Sequence, residues 1–131
     1  MALVANYPSP IYLCNTTGTG IQTAILDASD ALTAGLPVPF QIVISNSATV
    51  KIEAALELDS TGAMVDPLDV SGGGFTSSDF RDLVITLPFY RVNVTANTGT
   101  VKVKVGQGAL APGGRGKLHL VTLTNVGTSG L

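Results

Sequence analysis

Hydrophobic and polar residues alternate along several short stretches of the chain. In the segment 100–105 a valine occupies every second position, with Thr or Lys between. In the segment 49–58 apolar residues again fall on alternate positions, separated by residues such as Lys51 and Glu53. A period of two is that of a strand with one buried face. The part 51–58 is also rich in helix formers, but its β-branched start and the turn residues at 59–62 favour a strand.

Runs of this kind recur along the whole chain, separated by Gly, Pro, Asn and Ser. We count about eight of them, with turn signals every eight to twelve residues or so, a spacing typical of all-β sandwiches and barrels. No strand–helix–strand alternation is present, which argues against a parallel α/β sheet. The pattern predicts one all-β domain at 11–131: an antiparallel β-sandwich, jelly-roll-like, with about eight strands.

Local signals within this pattern predict one helical turn and two hairpins. Asp27 or Ser29 can cap the start of the helical turn, and Gly35 can end it. The polar links at 46–48 and 96–99 each join two alternating segments, and we therefore expect hairpins there.

The first ten residues differ from the rest and predict an extended N-terminal arm, 1–10. Pro8 and Pro10 fix their own backbone angles and push the preceding residues toward extended geometry. Such a segment cannot form a helix, and it pairs poorly inside a sheet. An arm of this kind can lie across a neighbouring subunit or remain a loose terminus.

Composition removes several classes of function. The chain has 131 residues, of which 45% are hydrophobic and 12% charged, with a formal net charge of −2. Binding to nucleic acid or to an anionic membrane is not expected, because no basic excess is present. One cysteine and one histidine leave no disulfide framework, no Cys-rich metal site and no multi-histidine metal site. A surface so poor in charge is typical of protein–protein interfaces.

Motifs that could carry enzyme chemistry fail on their surroundings, and we predict that the protein is not an enzyme. The segment 113–117 is similar to a phosphate-binding loop, but Ala111 and Leu118 stand where that loop needs Gly and Ser or Thr. His119 has no local nucleophile or acid, and we expect it to lie at a solvated or subunit-contact position of a strand. Cys14 lies in an apolar run and is expected to pack as a small hydrophobe.

Carboxylates are the remaining candidate ligands, and they predict no resident cofactor or metal. Asp59, Asp66 and Asp69 surround one turn region, while Asp79 and Asp82 flank another short segment. Their spacing is not that of a calcium loop, which leaves only an opportunistic surface calcium as an alternative. The N-terminus lacks the pattern of a secretion signal, and no apolar run reaches the length of a membrane span.

One region resembles a known family. Leu-Pro-Phe-Tyr-Arg-Val-Asn-Val-Thr at 87–95, followed by Asn-Thr-Gly-Thr-Val-Lys-Val at 97–103, is similar to the C-terminal half of small tailed-bacteriophage virion proteins. The segment 40–50 resembles the first hairpin of the same proteins. The resemblance covers about a third of the chain, and its motif recurs in capsid decoration, or cement, proteins and in some tail or fibre modules. It implies a decoration protein of jelly-roll-like fold.

The resemblance implies a structural role outside catalysis. We expect a decoration protein on the capsid exterior, made in the host cytoplasm, with the major capsid protein as its partner. It further implies a homo-oligomer, either a dimer or a trimer. Two alternatives are a tail or fibre adaptor module and a lectin-like module that binds carbohydrate or calcium.

Contact residues are expected in the arm and in the glycine-rich loop at 71–78. Aromatic side chains are common anchors of interfaces, and glycine lets another backbone approach closely. On these grounds the candidate interface residues are Tyr7, Pro8, Pro10, Tyr12, Gly73, Phe75 and Phe80.

Overall fold

The alternating segments form strands in the computed structural model, which describes residues 10–35, 37–106 and 118–121. These residues contain ten strands and one helix, in the order β1 (Ile11–Thr16), β2 (Gly20–Ile21), β3 (Leu26–Asp27), α1 (Ser29–Ala34), β4 (Pro37–Ile44), β5 (Ala48–Ala55), β6 (Leu68–Asp69), β7 (Asp79–Val84), β8 (Phe89–Asn97), β9 (Val101–Val105) and β10 (His119–Leu120). The predicted arm lies outside the described residues, except for Pro10.

The strands form two antiparallel sheets. A four-stranded sheet has the order β1-β9-β4-β7, and a six-stranded sheet has the order β10-β3-β8-β5-β6, with β2 also paired to β8. Because β2 and β3 both pair with β8, they act as one interrupted strand. The pairings are then nested: β1 with β9, β2 and β3 with β8, β4 with β7, and β5 with β6. Such nesting is that of a long hairpin folded over itself, the jelly roll. The predicted antiparallel jelly-roll-like sandwich is therefore confirmed.

The two-residue period predicted from the sequence is also the period of burial. The three valines of β9, at 101, 103 and 105, are fully buried, and the lysines between them are not. In β5 the side chains of Val50, Ile52 and Ala54 are likewise buried. This strand ends at Ala55, which is itself buried, so the alternation stops before the predicted end at Leu58.

Both predicted hairpins are wrong. β4 and β5 belong to different sheets, and so do β8 and β9. The links between them cross from one sheet to the other and lie side by side: the Thr98 N–H donates to the Ser47 carbonyl at 2.8 Å, and the Ser47 N–H donates to Thr98 Oγ1 at 3.2 Å. An alternating strand buries one face in either arrangement, so the pattern does not say which sheet it joins.

The predicted helical turn is present as α1, but its start differs from the prediction. The N-cap residue is Ala28, which makes no side-chain cap. Asp27 lies one residue earlier, and its Oδ1 accepts hydrogen bonds from the Ser29 N–H and Oγ–H. Ala28 is fully buried and its N–H donates to the Pro88 carbonyl, so tertiary packing sets this end. Gly35 ends the helix in the left-handed conformation, as predicted.

The core lies between the two sheets and joins them. The rings of Phe40 and Tyr90, one from each sheet, have centroids 6.1 Å apart. Cys14 is buried in the same cluster, and its Sγ–H points at the Val101 carbonyl. Burial raises the pKa of the Cys14 thiol to about 11. The prediction that Cys14 packs as a small hydrophobe is confirmed.

Candidate protein–protein interface

Four side chains form a row across the outer surface of the four-stranded sheet. The strand register places Tyr12 beside Lys104, Lys104 beside Gln41, and Gln41 beside Phe80. On the central strands β4 and β9, the neighbours of Gln41 and Lys104 along the chain are buried in the core. Because side chains alternate between the two sides of a strand, the row lies on the outer side of the sheet. Tyr12 is 47% exposed and Phe80 is 63% exposed. Together with Lys102 on the same surface, these residues form what we call the aromatic face.

A shallow depression lies at one end of the aromatic face. It has a volume of about 180 Å³, and its lining includes Pro10, Phe80, Lys104 and Gly106. Pockets for small molecules usually exceed about 300 Å³, so the depression is small for such a ligand. The structure thus brings Pro10 and Phe80, two contact residues predicted from the sequence, to the same place, and Tyr12 lies in the adjoining row.

The lysines give this surface a positive character. The Lys104 ammonium lies 5.8 Å from the centroid of the Tyr12 ring. Within the described parts of the chain, neither Lys102 nor Lys104 has a carboxylate within ion-pair distance. Asp82 lies on the same surface, opposite Pro39 at the β7 edge and two strands away from the lysines. Two cations beside exposed rings favour a partner surface that is apolar and acidic.

The edges of the sandwich are protected against strand addition. On the edge strand β7, the Asp79 carboxylate accepts a hydrogen bond from the Phe80 N–H and forms an ion pair with Arg81 at 2.8 Å. These two contacts hold the pKa of Asp79 below its ordinary value. On the other edge, β1 carries a bulge between Tyr12 and Cys14. The outer strands of the second sheet, β6 and β10, are two residues long. Charges, bulges and short strands all disfavour edge pairing, which leaves the faces as contact surfaces.

Phe75 is not an exposed anchor, contrary to the sequence-based expectation. Its side chain is only 7% exposed and belongs to the core. Its backbone bridges to Val50 through two hydrogen bonds of 2.7 and 2.9 Å, and the Arg81 guanidinium lies 4.9 Å from its ring centroid. An apolar ring beside a polar, glycine-rich loop is buried because it is the only group there that gains from leaving water. Phe75 therefore holds the loop in place.

The glycine-rich loop before Phe75 is exposed and well braced. The carboxylate of Asp69 accepts hydrogen bonds from the Ser71 N–H and Oγ–H and from the Gly73 N–H. Partial burial raises the pKa of Asp69, but these hydrogen bonds outweigh it and the net shift is downward. Gly73 lies at φ +102°, a conformation that L side chains rarely adopt. Gly73, a candidate contact residue, is thus presented to solvent at a defined position.

The outer surface of the other sheet has a different character. Arg91 Nε donates to Glu53 Oε1 at 2.8 Å, and Asn93 Nδ2 donates to Glu53 Oε2 at 3.2 Å. The side chains of Arg91 and Glu53 are each only 15% exposed. Lys51 lies beside Asn93 in the strand register. These four residues form what we call the polar face, where Glu53 is paired with both Arg91 and Asn93.

A second exposed apolar surface lies where β5 ends. Leu56 is 70% exposed and Leu68 is 67% exposed, and both line a depression of about 260 Å³. Glu57, Asp66 and Leu87 line the same depression. We call these five residues the leucine–acid patch.

Sequence reasoning missed the leucine–acid patch. The alternating pattern placed Leu56 on the buried face of a strand that in fact ends at Ala55. A signal was available: the segment 54–69 holds four carboxylates and no Lys, Arg or His. A segment whose charged side chains are all acidic, beside two leucines, indicates a surface region rather than a core strand.

Other groups with possible chemistry show structural roles or fall outside the described residues. His119 is exposed on β10, as expected, and its Nε2 lies 3.6 Å from the Asp30 carboxylate. Asp59 accepts hydrogen bonds from Thr61 Oγ1–H and from the N–H groups of Ala63 and Thr61, which lower its pKa. In the described ranges, no three His, Cys, Asp or Glu side chains are grouped for metal binding. Tyr7, Pro8 and the loop 113–117 lie outside these ranges.

No family model, no curated protein and no solved structure matches the chain. The one helix among the described residues, α1, is not long and apolar enough to span a membrane.

Proposed function

We propose that this chain is a bacteriophage virion structural protein, a capsid decoration protein that binds the outside of the assembled head and stabilises contacts between capsomers. The proposal is supported by the jelly-roll-like sandwich, by the charge-poor composition and by the resemblance of the segments 40–50 and 87–103. It names protein contact, not catalysis, as the activity of the molecule.

The observation that carries the proposal is the exposed aromatic face, which supports protein contact and to which we assign the self-association of the protein. Tyr12 and Phe80 stand in water on the outer surface of a sheet whose opposite surface already fills the core. Exposed rings of this kind, grouped with prolines and lysines, are typical of surfaces that bind other proteins. The protected strand edges direct such binding to the faces and loops.

The mechanism that we propose is thermodynamic. A protein that binds only the assembled shell stabilises that shell by mass action. Each copy that bridges two capsomers adds contact area, and self-association makes the attachment multivalent. The shell contacts are assigned to the arm, 1–10, and to the loop around Gly73, which the hydrogen bonds from Ser71 and Gly73 to Asp69 hold in position.

The proposal is tested by mixing the purified protein with undecorated heads. We expect the protein to sediment with the heads and to raise the temperature at which they disrupt. A variant that lacks residues 1–9 is expected to bind more weakly. A variant with Asp30→Lys, at an exposed position of α1, serves as a control and is expected to bind normally. If removal of the arm changes neither the binding to heads nor their disruption temperature, the assignment of the arm is wrong. If the full chain does not bind heads at all, the proposed function is wrong.

Imaging of labelled protein on complete particles tests the tail or fibre adaptor alternative in the same material. Label over the head surface is expected. Label confined to the tail would overturn the decoration role and leave the adaptor role.

A further inference from the structure

We propose that copies of this chain bind one another head to tail, with the aromatic face of one copy docked on the leucine–acid patch of the next. The inference deepens the self-association that forms part of the proposed function, but it does not depend on the capsid as the partner. It rests on two exposed surfaces of one chain that match in both apolar character and charge.

The aromatic face supplies the cationic partner. Its two rings, Tyr12 and Phe80, lie on the first and last strands of the four-stranded sheet, about 14 Å apart at the usual strand spacing. Lys102 and Lys104 lie between those strands on β9 and have no carboxylate partner in the part of the chain that the structure describes. A surface of this kind binds best to leucines flanked by carboxylates, because rings and leucines leave water together while the charges pair.

The leucine–acid patch supplies that arrangement. Leu56 and Leu68 are the two most exposed of the large hydrophobic side chains in the described residues, and Glu57 and Asp66 are exposed beside them. Among the described residues, no basic side chain lines the depression that they share. The acidic groups of the patch are thus available for cations from outside, unlike Glu53 of the polar face, which is already paired.

The placement of the two surfaces makes the contact heterologous. The aromatic face covers the outer surface of the four-stranded sheet, whereas the leucine–acid patch lies at the end of β5 in the six-stranded sheet. A twofold contact of the aromatic face with itself would leave the leucine–acid patch in water and would give the lysines no such acidic surface to face. Pairing each face with a patch on the next copy avoids this, and a closed arrangement of such contacts is a ring of three or more copies. We expect the trimer, the smallest such ring, in which each copy uses its aromatic face and its leucine–acid patch on two different neighbours.

The experiment is sedimentation equilibrium of the full chain, without heads, from about 1 to about 200 µM. The unaltered protein is expected to form a closed oligomer whose dissociation constant rises with salt. The double variant Lys102→Glu/Lys104→Glu is expected to weaken assembly by at least about tenfold, and so is Glu57→Lys/Asp66→Lys, because like charges then face each other. Asp30→Lys, on α1 beside β10 at the opposite edge of the six-stranded sheet from β6, is the matched control and is expected to leave assembly unchanged.

Combining the two charge reversals separates direct pairing from general disruption. The chain that carries all four substitutions is expected to regain the oligomer of the unaltered protein. An equimolar mixture of the two double variants can pair only in alternation, which a ring of three copies cannot satisfy. It is therefore expected to form mixed complexes that neither variant forms alone, but no closed trimer. Phe80→Ser and Leu56→Ser, which leave all charges in place, are each expected to weaken assembly while the protein stays folded by circular dichroism.

Three results would overturn the inference: a monomer over the whole concentration range, an oligomer unaffected by Glu57→Lys/Asp66→Lys, or failure of the fourfold variant to reassemble while it remains folded. Head binding measured in parallel keeps the two proposals apart. A monomer that still sediments with heads rejects only the self-contact, and an oligomer that ignores heads rejects only the decoration role.

Discussion

The two outer faces of the sandwich differ in how their charges are used. On the polar face, Glu53 accepts from both Arg91 and Asn93, and the ion pair is largely shielded from water. On the aromatic face, Lys104 lies over the exposed ring of Tyr12, and no described carboxylate pairs with it. Both faces belong to sheets with the same alternating pattern, so the pattern alone does not distinguish them.

This difference means that one face contributes to the stability of the fold and the other to contact with partners. Groups of the polar face satisfy one another, so their removal leaves unpaired partners inside the same molecule. Groups of the aromatic face have few internal partners, so their removal leaves the fold intact and changes only what the surface can bind. Substitutions on the two faces should therefore give opposite results in unfolding and in assembly experiments.

The largest expected effect is on the polar face. Glu53→Ala removes the partner of Arg91, whose side chain is 15% exposed, and of the half-buried Asn93. We therefore expect the free energy of unfolding to fall by about 2 kcal/mol. Urea unfolding measures it. Gln41→Ala, in the middle of the aromatic face, is the control and should change the same quantity by less than about 0.5 kcal/mol. Equal effects at the two positions would remove the distinction between the faces.

A smaller effect is expected where the two sheets are linked. A Cβ at position 99 would lie 2.7 Å from Asn46 Cβ and 2.7 Å from Ser45 Oγ, so Gly99→Ala forces the two crossing links apart. We expect a loss of about 1.5 kcal/mol in a single unfolding transition, because both faces depend on these links. Gly18→Ala, whose Cβ would meet only Thr16 Oγ1 at 3.7 Å, is the control and should be near neutral. Two separate transitions would show that the sheets unfold independently.

A smaller effect again is expected from the brace of the glycine-rich loop. The pKa of Asp69 is lowered in the folded protein, so its contribution to stability is present above the ordinary carboxyl pKa and is lost as the pH falls through the lowered value. Asp69→Asn should reduce the free energy of unfolding by about 0.5 kcal/mol at neutral pH, since the site is exposed. The deficit should shrink between about pH 5 and pH 3.

Asp82→Asn is the control for the Asp69 variant, because Asp82 is an exposed carboxylate on β7, away from the glycine-rich loop. It should change the free energy of unfolding at neutral pH by less than about 0.3 kcal/mol, because it leaves the hydrogen bonds to Asp69 in place. A deficit of Asp69→Asn that stays constant from neutral to acid pH would contradict a role for the charged form of Asp69.

The smallest effect on stability is expected on the aromatic face itself. Phe80 is 63% exposed, so we expect Phe80→Ser to lower the free energy of unfolding by no more than about 0.3 kcal/mol. The thermal unfolding midpoint measures this change. The native fold can be verified with Cys14, because a buried thiol with a raised pKa reacts slowly until the protein unfolds. Rapid labelling of Cys14 in the folded variant would show that Phe80 supports the core after all.

Much of the local structure could be predicted from the sequence, whereas the contact surfaces could be predicted only in part. The valines of β9 and the apolar residues of β5 identified strands because burial on one side enforces a period of two. Gly35 identified a helix end because few other residues adopt its backbone angles. Phe75, in contrast, was predicted as an exposed anchor and is buried, since nothing in a single glycine-rich loop shows which strand the neighbouring ring will reach.

The sequence by itself determined that the chain forms short strands with one buried side, that its surface carries few charges, and that it lacks the cysteines and histidines of common metal sites. Each of these depends on residue type or on spacing along the chain. Only the tertiary structure decided that β4 and β5 lie in different sheets, that Glu53 meets Arg91, and that Tyr12 and Phe80 share one face. These contacts join residues far apart in the chain, and an alternating strand can satisfy its buried side with many partners, so spacing alone cannot choose among them.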